Sequence, residues 1–320
     1  MTQITRRALL TGTAALAASP VLASAPIVDT QAPGFYRYKV GDYELTQLSD
    51  GAATFPMPDN FVTNVSKDRA IAEAQQLYLA PAGKITVPFN PVLINTGSKL
   101  ILIDTGYGPN VSPRVGHLPA SLAAAGISPE QIDTVIISHI HPDHTNGLHT
   151  KEGALTFPNA EILMPEKDWA FWMSKENAAK ANDPVSKGYF ANAQKTLTDL
   201  IDHVSTYGWD KEVAPGVTSI ATPGHTPGHT SFAVASGKDR MFVQSDVTNI
   251  PAFFLRHPDW HVMYDHDPEL AQRTRHRFYD MAATEKALVA GYHFPFPSLG
   301  HVEKNGMDYR LVPINWNTTV

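Results

Sequence analysis

Ser138-His139-Ile140-His141-Pro142-Asp143-His144 places three imidazoles and a carboxylate within six residues, directly after the apolar run Val135-Ile136-Ile137. A β-branched run bounded by polar residues predicts a short buried strand. Alternate side chains of an extended chain share a face, so His139 and His141 leave the strand's end in the same direction. Pro142 holds the residue before it extended and then turns the chain, bringing Asp143 and His144 in from another side. Imidazole and carboxylate donors without a thiol suit zinc, manganese, iron or cobalt. The plain alternative, a polar surface turn, requires this combination and spacing to arise by chance.

A second constellation is Thr222-Pro223-Gly224-His225-Thr226-Pro227-Gly228-His229-Thr230, where two Pro-Gly turns bring backbone close to something and each display a histidine. His225 follows the predicted strand Thr218 to Ala221, and His229 opens the next. Asp246 follows the apolar run Met241-Phe242-Val243, and His293 follows Leu288-Val289-Ala290-Gly291-Tyr292. The clustered donors, His225, Asp246 and His293 therefore all lie just past the carboxyl ends of predicted strands, where open α/β sheets form ligand sites.

The elements that must position these residues alternate along the chain. Phe35 to Leu48 predicts two edge strands around Gly41-Asp42, Lys67 to Ala80 a helix, and Pro91 to Asn95 with Lys99 to Asp104 a hairpin of buried strands. Leu118 to Ala125 reads as a helix closed by Gly126, and the metal strand is Thr134 to Ser138. Then come a strand at Glu161 to Met164, helices at Glu166 to Met173 and Val185 to Val204, and strands at Thr218 to Ala221, Thr230 to Ala235 and Met241 to Gln244. Pro268 to Thr284 is a helix, with the strand Ala287 to Ala290 after it. Such alternation indicates a layered α/β architecture.

Three hundred and twenty residues suffice for a sizeable core, and 43% hydrophobic with 18% charged residues excludes a disordered chain. Arg6-Arg7, an uncharged stretch from Thr11 to Leu22 and the small residues Ala23-Ser24-Ala25 form an expected twin-arginine-type signal peptide over residues 1–25, cleaved after Ala23 or Ala25. Residues 26–320 are the expected catalytic domain, periplasmic or secreted. Removing Arg6 and Arg7 takes the formal charge from −6 to −8, which argues against nucleic acid or an anionic membrane as partner. The chain has no cysteine, excluding disulfides, iron–sulfur clusters and a thiol nucleophile.

His-x-His-x-Asp-His, then Thr-Pro-Gly-His some eighty residues on, then an isolated aspartate and a late histidine, resembles the metallo-β-lactamase superfamily from about Phe35 onward. Gly34-Phe35-Tyr36-Arg37, Gln47-Leu48-Ser49-Asp50-Gly51, Asn95-Thr96-Gly97-Ser98-Lys99, His293-Phe294-Pro295-Phe296-Pro297 and Tyr309-Arg310-Leu311-Val312-Pro313 are similar to its methyl parathion hydrolase branch, which also includes lactonases and arylesterases. The resemblance implies a four-layer αβ/βα sandwich with two divalent metal ions, zinc first among the alternatives, at its edge. By position it implies that His139, His141 and His225 hold one ion, and Asp143, His144 and His293 the other, with Asp246 between them. It also implies that Asp104 orients a ligand histidine and that His229 is a supporting residue. Asp143 and Asp246 are the expected catalytic carboxylates.

Two such ions make hydroxide available near neutral pH for attack on a carbonyl carbon or phosphorus, so no protein nucleophile is required. This agrees with the absence of a Gly-x-Ser-x-Gly elbow. Phe89, Leu118, Trp172, Phe253 and Phe254 are the candidates for a substrate pocket. They predict a small, neutral, apolar lactone, aryl ester or phosphotriester as partner, with no nucleic acid, no membrane after signal cleavage, and a homodimer as a possible assembly. Asp246-Val247-Thr248-Asn249-Ile250 departs from acyl-homoserine lactonases, which resemblance would give a tyrosine shortly after that aspartate. A glyoxalase II-like thioesterase is the first alternative, needing cations for an anionic leaving group. Arg273, Arg275, Arg277 and Lys286 read as a solvated helical face instead. An iron-dependent persulfide dioxygenase or other redox enzyme on the same fold is the second alternative.

Overall fold

In the computed structural model the described residues are 27–28, 31–79, 81–109 and 111–320. The expected signal peptide and its boundary lie outside them. The chain divides into Met1–Ala32 and Pro33–Val320, and the fold belongs to the second unit. Its first half contains β1 (Phe35–Val40), β2 (Tyr43–Leu48), β3 (Gly51–Pro56), helix α1 (Lys67–Gln76), β4 (Lys84–Phe89), β5 (Val92–Asn95), β6 (Leu100–Ile103), α2 (Leu118–Ala124), β7 (Thr134–Ile136), the single turn α3 (Pro142–Thr145), β8 (Glu161–Pro165), α4 (Glu166–Trp172), α5 (Lys175–Lys180), α6 (Pro184–Leu197) and β9 (Val204–Tyr207). The second contains β10 (Glu212–Ala214), β11 (Val217–Ala221), β12 (Thr230–Ser236), β13 (Asp239–Val243), α7 (Pro251–Phe254), α8 (Pro268–Glu285), β14 (Leu288–Ala290), β15 (Leu299–Asn305) and β16 (Asp308–Pro313).

Among the described residues these strands form two seven-stranded sheets, ordered β1-β2-β5-β6-β7-β8-β9 and β10-β11-β12-β13-β14-β15-β16, and the separate hairpin β3-β4. The first sheet turns from antiparallel to parallel at β6–β7, and in the second only β13–β14 is parallel.

The apolar runs are buried on both faces, and strand alternation decides which layer each side chain joins. Ile101, Ile103, Ile136 and Leu163 meet Phe232, Val234, Met241 and Val243 between the sheets. Their neighbours Leu102, Val135, Ile162 and Met164 point the other way, onto Leu122 of α2, Trp172 of α4 and Phe190 and Leu197 of α6. Phe242 and Val289 of the second sheet likewise meet Phe278, Tyr279 and Ala282 of α8. The order helix, sheet, sheet, helix is the four-layer αβ/βα sandwich expected from the sequence.

Several boundaries differ from the expectations. The helix expected to reach Ala80 ends at Gln76, after which Tyr78 takes a left-handed backbone. The helix expected to run to Val204 ends at Leu197, and a 3-10 segment over Thr198–His203 leads into β9, parallel to β8. Only β1 of the first hairpin is an edge, because β2 pairs with β5 on its other side. Hairpin β3-β4, short strands β9 and β10, and the terminal hairpin β15-β16 are additions to the sequence reading. Except in β9, their patterns are broken by Pro, Gly or charged residues, and pairing rather than local propensity makes them strands. No described helix is long and apolar enough to cross a membrane.

Candidate metal centre

The donors converge from four loops at one edge of the sandwich. Three residues past β7 the chain presents His139, then His141 as the N-cap of α3, with Pro142 in its first turn. The short helix swings Asp143 and His144 back toward the strand ends. His225 lies in the loop from β11 to β12, Asp246 three residues past β13, and His293 three past β14. Donor atoms of His139, His141 and His225 lie within 4.8 Å of one another, as do those of Asp143, His144, Asp246 and His293. In the first group, His141 Nδ1 is 3.2 Å from His139 Nε2 and 3.0 Å from His225 Nε2. In the second, Asp143 Oδ2 is 3.5 Å from His144 Nε2 and 3.6 Å from His293 Nε2. Asp246 faces both: one oxygen is 2.9 Å from His293 Nε2 and 3.4 Å from His225 Nε2, and the other is 3.4 Å from His144 Nε2.

The chemistry of this donor set fits divalent cations. Imidazole nitrogens converging at hydrogen-bond distance share either a proton or a metal ion, and His141 Nδ1 faces two of them. Buried His144 Nε2 and Asp246 Oδ1 have no hydrogen-bond partner, the condition of atoms that serve as ligands. Burial, together with neighbouring histidines, holds His139 and His141 well below the usual imidazole range, so both are neutral donors. Burial also opposes charge on His144, but Asp104, Asp246 and Asp143 together hold it well above that range. Asp246 stays well below the carboxylate range despite burial, because His293 and His144 face it.

Four of the candidate ligands, His144, His225, Asp246 and His293, are each held by a further contact. Asp104, in a left-handed backbone conformation just past β6, accepts from Ser138 N at 2.8 Å and Ser138 Oγ at 2.8 Å, and lies 2.9 Å from His144 Nδ1. Ser245, before Asp246, is also left-handed, a costly backbone conformation for a non-glycine residue that the surrounding structure must hold in place. His293 Nδ1 is 2.8 Å from the Pro88 carbonyl, and His225 Nδ1 2.9 Å from Asp265 Oδ1. His229 turns away from the cleft: Nδ1 lies 3.0 Å from the Thr222 carbonyl, and Nε2 accepts the Asp246 N–H at 2.9 Å. Burial pushes this imidazole down to about 3, matching its acceptor role.

Asp265 belongs to an arrangement that contradicts the sequence reading of the arginine run. Arg273 and Arg277 are exposed, but Arg275 is only 1% exposed. Its guanidinium donates to the Val247, Pro258 and Trp260 carbonyls and lies 3.5 Å from Asp265 Oδ2. Helical spacing explains it: Ala271, Thr274, Arg275, Phe278, Tyr279 and Ala282 form one buried face.

The cleft over the donors is lined by Ala53, Phe55, Val87 and Phe89 of the β3-β4 hairpin, by Tyr107, Tyr189 and Tyr264, and by Asn249, along with His141, Asp143, His225, Asp246 and His293. Of the expected pocket residues only Phe89 is there. Leu118 and Trp172 pack in the core between the first sheet and its helices, although the Trp172 ring meets His141 from behind at 5.8 Å. Phe253 and Phe254 are fully buried behind the cleft with Phe61 and Trp260. The lining tyrosines come from three separate segments, and no local pattern marks them.

The model of the metallo-beta-lactamase superfamily matches residues 87–293, and the chain belongs to that superfamily. Among solved structures it is similar to the hydrolase AbOPH of the beta lactamase superfamily, with 28% identity and a TM-score of 0.83 over 90% of this chain and 100% of that one. Similarity to AidC, a dizinc quorum-quenching lactonase, is equal in both measures and covers 89% and 99%. An N-acyl homoserine lactonase of Bacillus cereus is 24% identical over 232 residues, 66% of this chain and 83% of that protein. The uncharacterized YobT of Bacillus subtilis (strain 168) is 26% identical over 148 residues, and the match spans 56% of its length. Family, relatives and donor set together make this chain a metal-dependent hydrolase.

Proposed function

We propose that the protein hydrolyses small neutral lactones and aryl esters at a two-zinc centre, with phosphotriester hydrolysis as a side activity. The observation that carries this reading is the cleft, where aliphatic and aromatic walls enclose a cavity of about 80 Å³ and no lysine or arginine is among the lining residues. Such walls favour a compact apolar group and offer no partner to an anionic leaving group, which disfavours a glutathione thioester. The lactonase relatives support the lactone class.

His139, His141 and His225 would hold one ion and Asp143, His144 and His293 the other, with Asp246 shared. Bound there, divalent ions supply Lewis acidity, polarising a substrate oxygen and acidifying water. The protein's share is positioning. His229 fixes the backbone of Asp246, Asp104 fixes the ring of His144, and Phe89 packs edge-on against His293 at 5.5 Å. Asp143, with a side chain 16% exposed, is the most open donor and faces the cleft, placed to hold the proton that the leaving alkoxide takes up. Export through the twin-arginine-type leader belongs to the same proposal, tested by finding the cleaved chain outside the cytoplasm.

The deciding experiment is a hydrolysis panel with the metal-loaded protein: an aromatic lactone, an aliphatic lactone including an acyl-homoserine lactone, an aryl ester, a methyl phosphotriester and a glutathione thioester. Highest kcat/KM on lactones or aryl esters is expected. Preference for the thioester, or bound iron with oxygen uptake on a persulfide, would overturn the substrate class.

A further inference from the structure

We propose that Asp168 is the positioning residue of the three-histidine half of the metal centre, its carboxylate joining the two loops that bring His139, His141 and His225 to one point. The inference rests on the two-ion reading above and assigns a role to a residue outside the seven donors.

Asp168 sits in the first turn of α4 with no exposed surface. Its Oδ2 accepts the Ile140 N–H at 2.8 Å and the Thr226 hydroxyl at 2.8 Å, and its Oδ1 accepts the Gly228 N–H at 2.5 Å. Ile140 separates His139 from His141, Thr226 follows His225, and Gly228 precedes His229. Neither loop has helix or strand at these positions, so no regular hydrogen-bond ladder sets their spacing. One direct bond, Thr230 N–H to the Ser138 carbonyl at 3.0 Å, joins the loops at their strand ends. Farther out, toward the ligands, the loops are tied by the Asp168 carboxylate, beside the 3.0 Å contact of the His141 and His225 rings themselves.

This accounts for the Pro-Gly turns. A Cβ on Gly228 would lie 2.3 Å from Asp168 N, and one on Gly224 2.3 Å from Ala271 N of α8. Glycine thus lets one loop approach α4 on one side and α8 on the other, with His225 between the two contacts. The residue type at 168 follows from the donors. Three N–H or O–H groups converge on two oxygens, and an ionised carboxylate, which only accepts, satisfies all three. An asparagine of the same shape presents an NH₂ group to at least one donor and breaks that leg. The Asp143, His144 and His293 half is oriented instead by Asp104 and the Pro88 carbonyl, which Asp168 does not touch.

The test is metal occupancy of the full chain. Wild-type and Asp168→Asn proteins are loaded with cobalt(II) and titrated with a competing chelator while bound ions are counted and the cobalt absorption is recorded. Wild type is expected to hold two ions. Asp168→Asn is expected to keep one and to bind the other about 10- to 100-fold more weakly, losing the absorption of one ion only. Two ions held with unchanged affinity in the variant, or equal weakening of both, would overturn the proposal. A wild-type protein holding a single ion would sink the two-ion reading itself and the proposal with it. If circular dichroism shows that Asp168→Asn does not fold, Thr226→Val, which removes one leg, carries the test: about tenfold weaker binding of one ion supports the clamp, and unchanged binding of both refutes it.

Discussion

Replacing Arg275 with methionine removes the only buried lysine or arginine among the described residues while keeping an unbranched apolar stem. The guanidinium is 1% exposed and donates to three carbonyls, at 3.1 Å to Val247, 2.7 Å to Pro258 and 2.8 Å to Trp260. Hydrogen bonds from a charged donor contribute roughly 1.5–3 kcal/mol each, but the apolar replacement recovers part of that by burying a thioether. The same cation lies 3.5 Å from Asp265 Oδ2, an atom with no hydrogen-bond partner, and removing one member of a buried pair typically costs about 3–5 kcal/mol. The expected loss is therefore about 3–5 kcal/mol, a fifth or more of the roughly 5–15 kcal/mol that holds a domain together. Because Asp265 lies 2.9 Å from His225 Nδ1, the variant should also bind metal more weakly. Urea unfolding of the metal-loaded protein measures the first effect and chelator competition the second. Arg273→Met, on the exposed face of the same helix, should stay within about 0.5 kcal/mol of wild type. An Arg275→Met protein within about 1 kcal/mol of wild type and with unchanged metal affinity would refute the reasoning.

Three further outcomes follow from the same geometry. Asp246→Asn should lower kcat/KM by roughly two to three orders of magnitude, since its carboxylate faces both donor groups; a loss of less than tenfold would remove it from between the ions. His225→Ala should release metal, whereas His229→Ala should retain it while destabilising the fold by about 1–3 kcal/mol, because the Asp246 N–H loses its acceptor. Metal counts with the opposite pattern would reverse the assignment. Burial pushes the Asp50 carboxyl up to about 6 although the Tyr107, Leu118 and Gly116 N–H groups pull it down. Its folded-state value lies above the unfolded one, so its contribution is full below about pH 4, is lost as pH rises to about 6, and is flat beyond. The difference in unfolding free energy between wild type and Asp50→Asn should fall by about 3 kcal/mol across that window, and a pH-independent difference would contradict the shift.

Local spacing made half of the centre legible without a structure. His139, His141, Asp143 and His144 are neighbours in the chain, and a strand that stops at Ile136 followed by Pro142 leaves them few directions to point. The apolar runs that carry β5 to β8 and β11 to β14 were equally plain, because strands buried on both faces read as unbroken β-branched stretches. His225, Asp246 and His293 could be placed at strand ends, but only the sandwich shows that they meet.

What supports the ligands was decided by tertiary structure alone. Asp168 is 28 to 60 residues from its partners and Asp265 is 40 from His225, and in sequence either is one more polar residue near a helix start. Arg275 was recoverable from the period of α8, where it shares the face of Phe278 and Tyr279; reading the arginines as a charge run concealed it. The cleft is the least local feature. Tyr107, Tyr189, Tyr264 and the β3-β4 hairpin come from separate segments, whereas Phe253 and Phe254, apolar and close in sequence to Asp246, went to the core. Hydrophobicity determines that a side chain leaves water, and packing determines whether it does so in the interior or at the wall of a site.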